Sequence, residues 1–337
     1  MVNPHDAATK TLTEELTPID LPPLVSRHVS TASDAAELFM AITAKKWRRS
    51  SLSAASSADV KRKIEEAVLD DRPIVFTLPF GGYKAWHEGR LPNWAEVFAL
   101  AHLRRYLAEI AKLWPAGVVA EFTYLSNTLD YVSNMPIAWQ EEYLVAFEQA
   151  TTRYSCDRIR MSVVDISSLP TTPPNIRSLV IEKAKSLKDT WEAQAKPEEQ
   201  DHILASASRN LVPNGVRDLR ELLPAEWEKE VRLAAIACFA LDSQPVRRDY
   251  NKFSHRIQLV YVRGPEPAIH IGSCATSSNH FAATSGVLER RADERYLPRI
   301  LSSSSIDRAS PVTIDTAAVG EPLGWASLNT CRIVTMP

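Results

Sequence analysis

The chain has 337 residues, 45% of them hydrophobic and 24% charged, with a formal net charge of −2. That composition is globular and long enough for one large or two modest domains, and the charge provides no overall attraction to nucleic acid, so any RNA contact would need a local basic patch. The four cysteines, Cys156, Cys238, Cys274 and Cys331, form no C-x-x-C pair, so neither a zinc site nor a redox motif is expected, and the wide spacing suits a reducing compartment.

No run approaches the roughly 18 apolar residues of a membrane helix. The polar N-terminus carries Asp6, Glu14 and Glu15 and is unlike a secretory signal. A cytoplasmic protein without membrane contact is expected. Residues 1–30 read as a loosely packed, flexible arm. Asp34 to Glu37 forms a capping-box pattern opening a helix, which ends in Lys45-Lys46-Trp47-Arg48-Arg49, cations suited to the helix dipole. Asp59 is the expected cap of the next helix, which carries Lys61, Arg62 and Lys63.

An apolar strand from Pro73 to Leu78 runs into Pro79-Phe80-Gly81-Gly82, then a polar loop with Tyr83, Lys84, His87, Glu88 and Arg90. Asn93-Trp94-Ala95-Glu96 is a second capping box, and the helix after it closes at Pro115 and Gly117. A second strand from Val118 ends near Tyr124, Ser126, Asn127 and Asp130. This strand–loop–helix–strand unit gathers polar groups beyond the strand ends, where open α/β sheets bind ligands.

Further on, the pattern predicts a helix over 138–154 and a strand over 159–166, and Pro170, Pro173 and Pro174 mark a soft boundary. Helices are expected near 175–195, 199–211 and 225–241. Strands over 256–263 and 268–273 flank Gly264-Pro265-Glu266-Pro267, which suits a hairpin. The expected fold is α/β: a Rossmann-like, mainly parallel sheet flanked by helices, with a helical segment and a late hairpin in the second half. Residues 31–170 would form the core with its substrate pocket, and 171–337 would complete the same domain.

Each candidate site has two readings. Adjacent Gly81 and Gly82 allow a ligand to approach the backbone, with Lys84 as a point charge for phosphate or carboxylate. A tight turn with a solvated lysine is the alternative, since no standard phosphate-loop spacing is present. Glu121 and Thr123 share one strand face, with Phe122 and Tyr124 on the other. A carboxylate within an apolar strand either meets solvent or serves a site. Ser126, Asn127, Asp130 and Asn134 read as turn residues or as hydrogen-bonding groups of a pocket. His270, Ser273 and Cys274 end the late strand with His280 nearby; they read as buried structural residues or as a nucleophile with its base. No metal ligand set is legible. Lys45, Lys46, Arg48, Arg49, Lys61, Arg62 and Lys63 read as solvated helix ends or as an RNA backbone contact.

The segment RPIVFTLPFGGYK, the helix start after LPNWAE and the Pro115-Ala116-Gly117 turn resemble the pyoverdine/dityrosine biosynthesis family, which includes isocyanide synthases. Leu78-Pro79, Lys84, Pro92-Asn93 with Glu96, and Pro115 to Gly117 follow that family's order over the first 150 or so residues. Leu125-Ser126-Asn127 stands where the family has Ser-Asp-Gly, and Ala283 to Gly286 where it has Thr-Pro-Trp-His. This resemblance implies condensation of an amino acid with a sugar phosphate, with Lys84 binding phosphate or carbonyl. LPFGGYK, WAEVF, RIQLVYVRG and HIGSC also resemble arginine-containing cyclodipeptide synthases. That resemblance implies a Rossmann-type core and arginyl-tRNA as aminoacyl donor, with no cofactor. Glu121 and Asp130 would line a guanidinium pocket, and the basic clusters at 45–63 would hold tRNA. Glu121 or His270 is the expected base and Ser126 an acyl acceptor. Gly81, Gly82, Tyr83, Lys84, Tyr124, Asn127, Asp130 and Ser273 complete the expected substrate site. A tRNA-dependent cyclodipeptide synthase is the leading expectation from sequence, and an isocyanide-synthase-like enzyme the alternative.

Overall fold

A computed structural model describes residues 4–24, 31–46, 51–194, 197–213, 223–253, 255–260, 268–271 and 284–335. Five parallel strands make the main sheet, in the order β3-β2-β1-β4-β5: β1 Ile74–Pro79, β2 Val118–Tyr124, β3 Ile159–Asp165, β4 Ile257–Val260 and β5 Ile269–His270. The strand order reverses direction between β1 and β4, which places a crevice beyond the C-terminal ends of the strands. A second, mixed sheet follows in the order β7-β6-β9-β8: β6 Ser285–Arg290, β7 Tyr296–Leu301, β8 Val312–Asp315 and β9 Thr330–Val334.

Among the helices are α1 Pro4–Leu16, α2 Ala32–Lys46, α3 Ala54–Leu69, α4 Trp94–Ala111, α5 Leu129–Ser133 and α6 Ile137–Arg153. The second half adds α7 Ile176–Leu187, α8 Trp191–Gln194, α9 Pro197–Asn210 and α10 Pro224–Asp242. Helix α4 is the centre of the core. Nearly every residue from Trp94 to Ala111 is buried, so it is hydrophobic around most of its circumference, as an enclosed helix must be. Phe76, Leu78 and Phe122 of the sheet share one cluster with Phe98, Tyr106 and Phe147 of the helices. A separate cluster joins Val180, Leu187 and Trp191 to Ile203 and to Ala235 and Ile236 of α10. No helix of the described residues is long and apolar enough to cross a membrane.

Three expectations need correction. The N-terminal stretch is no loose arm: α1 buries Ala8, Leu12 and Leu16 in the main core. Its Glu15 carboxylate meets both terminal nitrogens of Arg105 at 2.9 and 3.0 Å. The apolar positions 8, 12 and 16 are spaced for one helical stripe, but they are too few to stand out in a Thr- and Pro-rich segment. The strands on either side of Gly264 do not form a hairpin, because β4 and β5 pair in parallel; the turn residues themselves lie outside the described ones. The antiparallel pairs of the late chain are β6 with β7 and β8 with β9. Finally, the cap of α3 lies six residues before Asp59: Ser53 is its N-cap, accepting from Ser56 N, and Asp59 sits inside the helix.

Candidate functional site

The loop after β1 is fixed by a buried ion pair. Lys84 Nζ lies 2.8 and 2.9 Å from the two Glu96 oxygens and 2.8 Å from the Thr284 carbonyl. Both side chains are fully buried. Burial pushes the lysine pKa down and the glutamate pKa up, while their mutual attraction opposes both shifts. An ammonium has three N–H donors, and these three contacts use them all. Lys84 therefore joins the β1 loop to α4 and to the start of β6, and it does not face a phosphate. Glu96 also accepts from Asn93 N at 2.7 Å, while Asn93 Oδ1 accepts from Ala95 N at 2.7 Å, completing the capping box. Tyr143 donates to Glu96 at 3.2 Å.

Gly82 has φ +72°, and a Cβ there would stand 2.9 Å from the Tyr124 ring. Only glycine allows the loop this turn and this contact. The same Cβ position is 3.2 Å from Gln140 Nε2, a buried donor without a hydrogen-bond partner. The Tyr124 hydroxyl is pushed up to about 12 by burial, with Asp165 and Glu148 adding to the shift, so it stays protonated. Gly81 packs against the Tyr83 ring. Tyr83 turns inward, its hydroxyl bonded to Ser133 in a buried setting near Cys238.

At the ends of β2 and β3, Asp165 gathers a hydroxyl cluster. Ser126 Oγ donates to Asp165 Oδ2 at 2.6 Å, Ser167 Oγ donates to Oδ1 at 2.6 Å, and the two hydroxyls lie 2.9 Å apart. The backbone N–H groups of Ser126 and Ser167 also donate to Oδ1. Asn127 Oδ1 is buried nearby without a partner, while its carbonyl accepts from Arg177 at 2.7 Å. Beyond the β1 loop, Glu88 accepts hydrogen bonds from Ser285 and Ser303. His87 beside it has its pKa lowered, chiefly by burial and also by the neighbouring Lys84 and Arg209, against the pull of Glu88. Arg90 stacks on Trp139, 4.2 Å above the ring.

The acid pair expected to hold a guanidinium is not assembled. Glu121 accepts from Arg256 Nε at 2.8 Å and from Tyr250 at 3.0 Å, on the sheet face. Asp130 on α5 pairs with both terminal nitrogens of Arg177. Each carboxylate is thus occupied by an arginine of this chain, which also removes Glu121 as an unencumbered base. The α3 cations likewise have acidic partners: Lys61 with Glu37, Arg62 with Asp59 and Glu66, and the buried Lys63 with Asp59 at 2.7 Å. Burial removes Lys63 from any surface for tRNA. Lys45 and Lys46 end α2 and His270 lies on β5, but their side chains, like Arg48, Arg49, Ser273, Cys274 and His280, lie outside the described residues. Among the described residues no group of three His, Cys, Asp or Glu is placed to hold a metal ion.

The sequence reading overlooked Asp165, Ser167 and Gln140. Asp165-Ile166-Ser167-Ser168 at a strand end carries a readable turn signal, whereas Gln140 lies on an amphipathic helix with nothing to distinguish it.

No family model matches the chain, and neither does any curated protein sequence. Among solved structures it is similar to the PvcA protein from Pseudomonas aeruginosa, with a TM-score of 0.64 and 13% identity, covering 91% of this chain and 100% of that one. At this identity the likeness establishes a shared fold, a parallel α/β sheet flanked by helices.

Proposed function

We propose that this chain is a biosynthetic enzyme that condenses an amino acid with a sugar phosphate, in the manner of the isocyanide synthases it resembles in sequence. Of the two readings of the sequence, the likeness to PvcA over almost the whole of both chains favours this one. The observation that carries a catalytic role is the strand-end cluster, where Ser126, Ser167 and two backbone N–H groups orient Asp165. In this reading Asp165 takes the proton from the substrate ammonium. The freed amine adds to the sugar ketone, and water leaves to give the imine. Gln140 Nε2 donates to the substrate carboxylate. Exposed Arg209, near His87, supplies the cation for the sugar phosphate.

The test is incubation of the purified full chain with single amino acids and ribulose phosphate, read by mass spectrometry. A condensation product lost in Asp165→Asn, with the fold intact by circular dichroism, supports the proposal. A cyclic dipeptide formed only with charged tRNA would replace it with the cyclodipeptide reading.

A further inference from the structure

We propose that the N-terminal edge of the five-stranded sheet carries a second binding site, for a small organic anion with an apolar body. A cavity of about 660 Å³ opens there. Its residues come from the beginnings of strands: Arg72 lies just before β1, His255 just before β4, and Arg160 is the second residue of β3. The lining reaches Glu121 and Ser162 at mid-strand, three residues or roughly 10 Å short of Tyr124 and Asp165 at the usual rise per residue, and the strand-end cluster lies beyond the other ends of the same strands. The two places are therefore separate sites.

The chemistry of the cavity is one-sided. Val75, Val119 and Met161 supply an apolar floor. Arg72 spends Nε on Asp70 at 3.1 Å, yet its Nη1 is shielded from solvent and has no hydrogen-bond partner. A buried guanidinium N–H left unpaired is costly, and an anionic oxygen is the group that would satisfy it. Arg160 is exposed and has no acidic partner among the described residues. The one carboxylate lining the cavity, Glu121, is held by Arg256, which stacks 4.0 Å above Tyr250. Its charge is thereby offset, and the cavity keeps the cationic character of Arg72 and Arg160. A forked guanidinium matches the two oxygens of a carboxylate or phosphate. His255, held toward its neutral form by burial and by Arg256 and Arg72, adds a further donor.

The experiment is calorimetric titration of the full chain with hexanoate, hexyl phosphate and hexanol. Either anion should bind saturably and at least about tenfold more tightly than hexanol, the loss expected for one charge-assisted hydrogen bond. Whichever anion binds better identifies the head group. Arg160→Gln and Arg72→Gln should each weaken binding by about tenfold, and Arg232→Gln on α10 should leave it unchanged. Arg160→Gln decides the matter if loss of the Asp70 contact impairs folding of Arg72→Gln. Equal affinity for hexanol, or wild-type affinity in Arg160→Gln, overturns the proposal. So does a dimer in sedimentation that Arg160→Glu converts to monomer, since the cavity would then be a contact between copies. None of these outcomes depends on the condensation activity.

Discussion

Replacing Lys84 by Met tests the frame of the candidate site. The substitution keeps an unbranched side chain one heavy atom shorter and removes the charge. It leaves Glu96 fully buried, with Asn93 N, its own backbone N–H and the Tyr143 hydroxyl as neutral donors. It also leaves the Thr284 carbonyl without the 2.8 Å contact that anchors the start of β6. Removing one partner of a buried pair costs about 3–5 kcal/mol, because the other charge stays uncompensated. Adding Glu96→Gln removes that charge while keeping an oxygen to accept from Asn93 N, so the double variant should recover about half of the loss. The deficit also depends on pH. Burial raises the Glu96 pKa above 4.5 in the folded state, and loss of the lysine raises it further. The folded state then binds the proton that the unfolded state releases, so stability falls as pH rises from 4.5 through the raised value. Urea unfolding should show a smaller deficit for Lys84→Met at pH 5 than at pH 7. A loss below about 1 kcal/mol at pH 7, the value typical of a solvated surface pair, or a deficit that grows on acidification, would refute the reasoning.

Other substitutions follow from local geometry. Gly117 has φ +75°, and an added Cβ would lie 2.3 Å from the Arg158 carbonyl oxygen, so Gly117→Ala should cost about 2–4 kcal/mol in urea unfolding. Asn93→Ala removes the cap of α4 and should cost about 1–2 kcal/mol, read as a lower urea midpoint with unchanged slope. The Arg177 hydrogen bonds hold Asp130 below its ordinary 3.8, so its contribution is present at neutral pH and lost as pH falls through the depressed value. The pair is partly solvated, so Asp130→Asn should cost no more than about 1 kcal/mol at pH 7 and progressively less as pH falls below 3.8. Gly82→Ala should push aside the Tyr124 ring, lowering condensation activity more than stability if the strand-end cluster is the site.

The class of fold was legible because hydrophobic period and cap chemistry are local. The run before Gly81 and the run from Val118 had to be strands, and Asn93 to Glu96 had to open a helix; the structure has β1, β2 and a complete capping box there. Locally, Glu96 was only a cap residue. Its second role, holding Lys84, depends on a lysine twelve positions away meeting it in the core, and no spacing rule predicts that. Partner choice among charges was hidden for the same reason. Glu121 and Asp130 share one segment of sequence, yet their arginines come from 135 and 47 residues away. The parallel pairing of β4 with β5, against a turn sequence suited to a hairpin, is likewise set by the sheet. The sequence by itself determined which segments are strands and helices, since that depends on periodicity and on which backbone groups a nearby side chain can satisfy. Only the tertiary structure decided which charges are spent on one another and which remain for a ligand, because desolvation and pairing act between residues that the chain brings together only when folded.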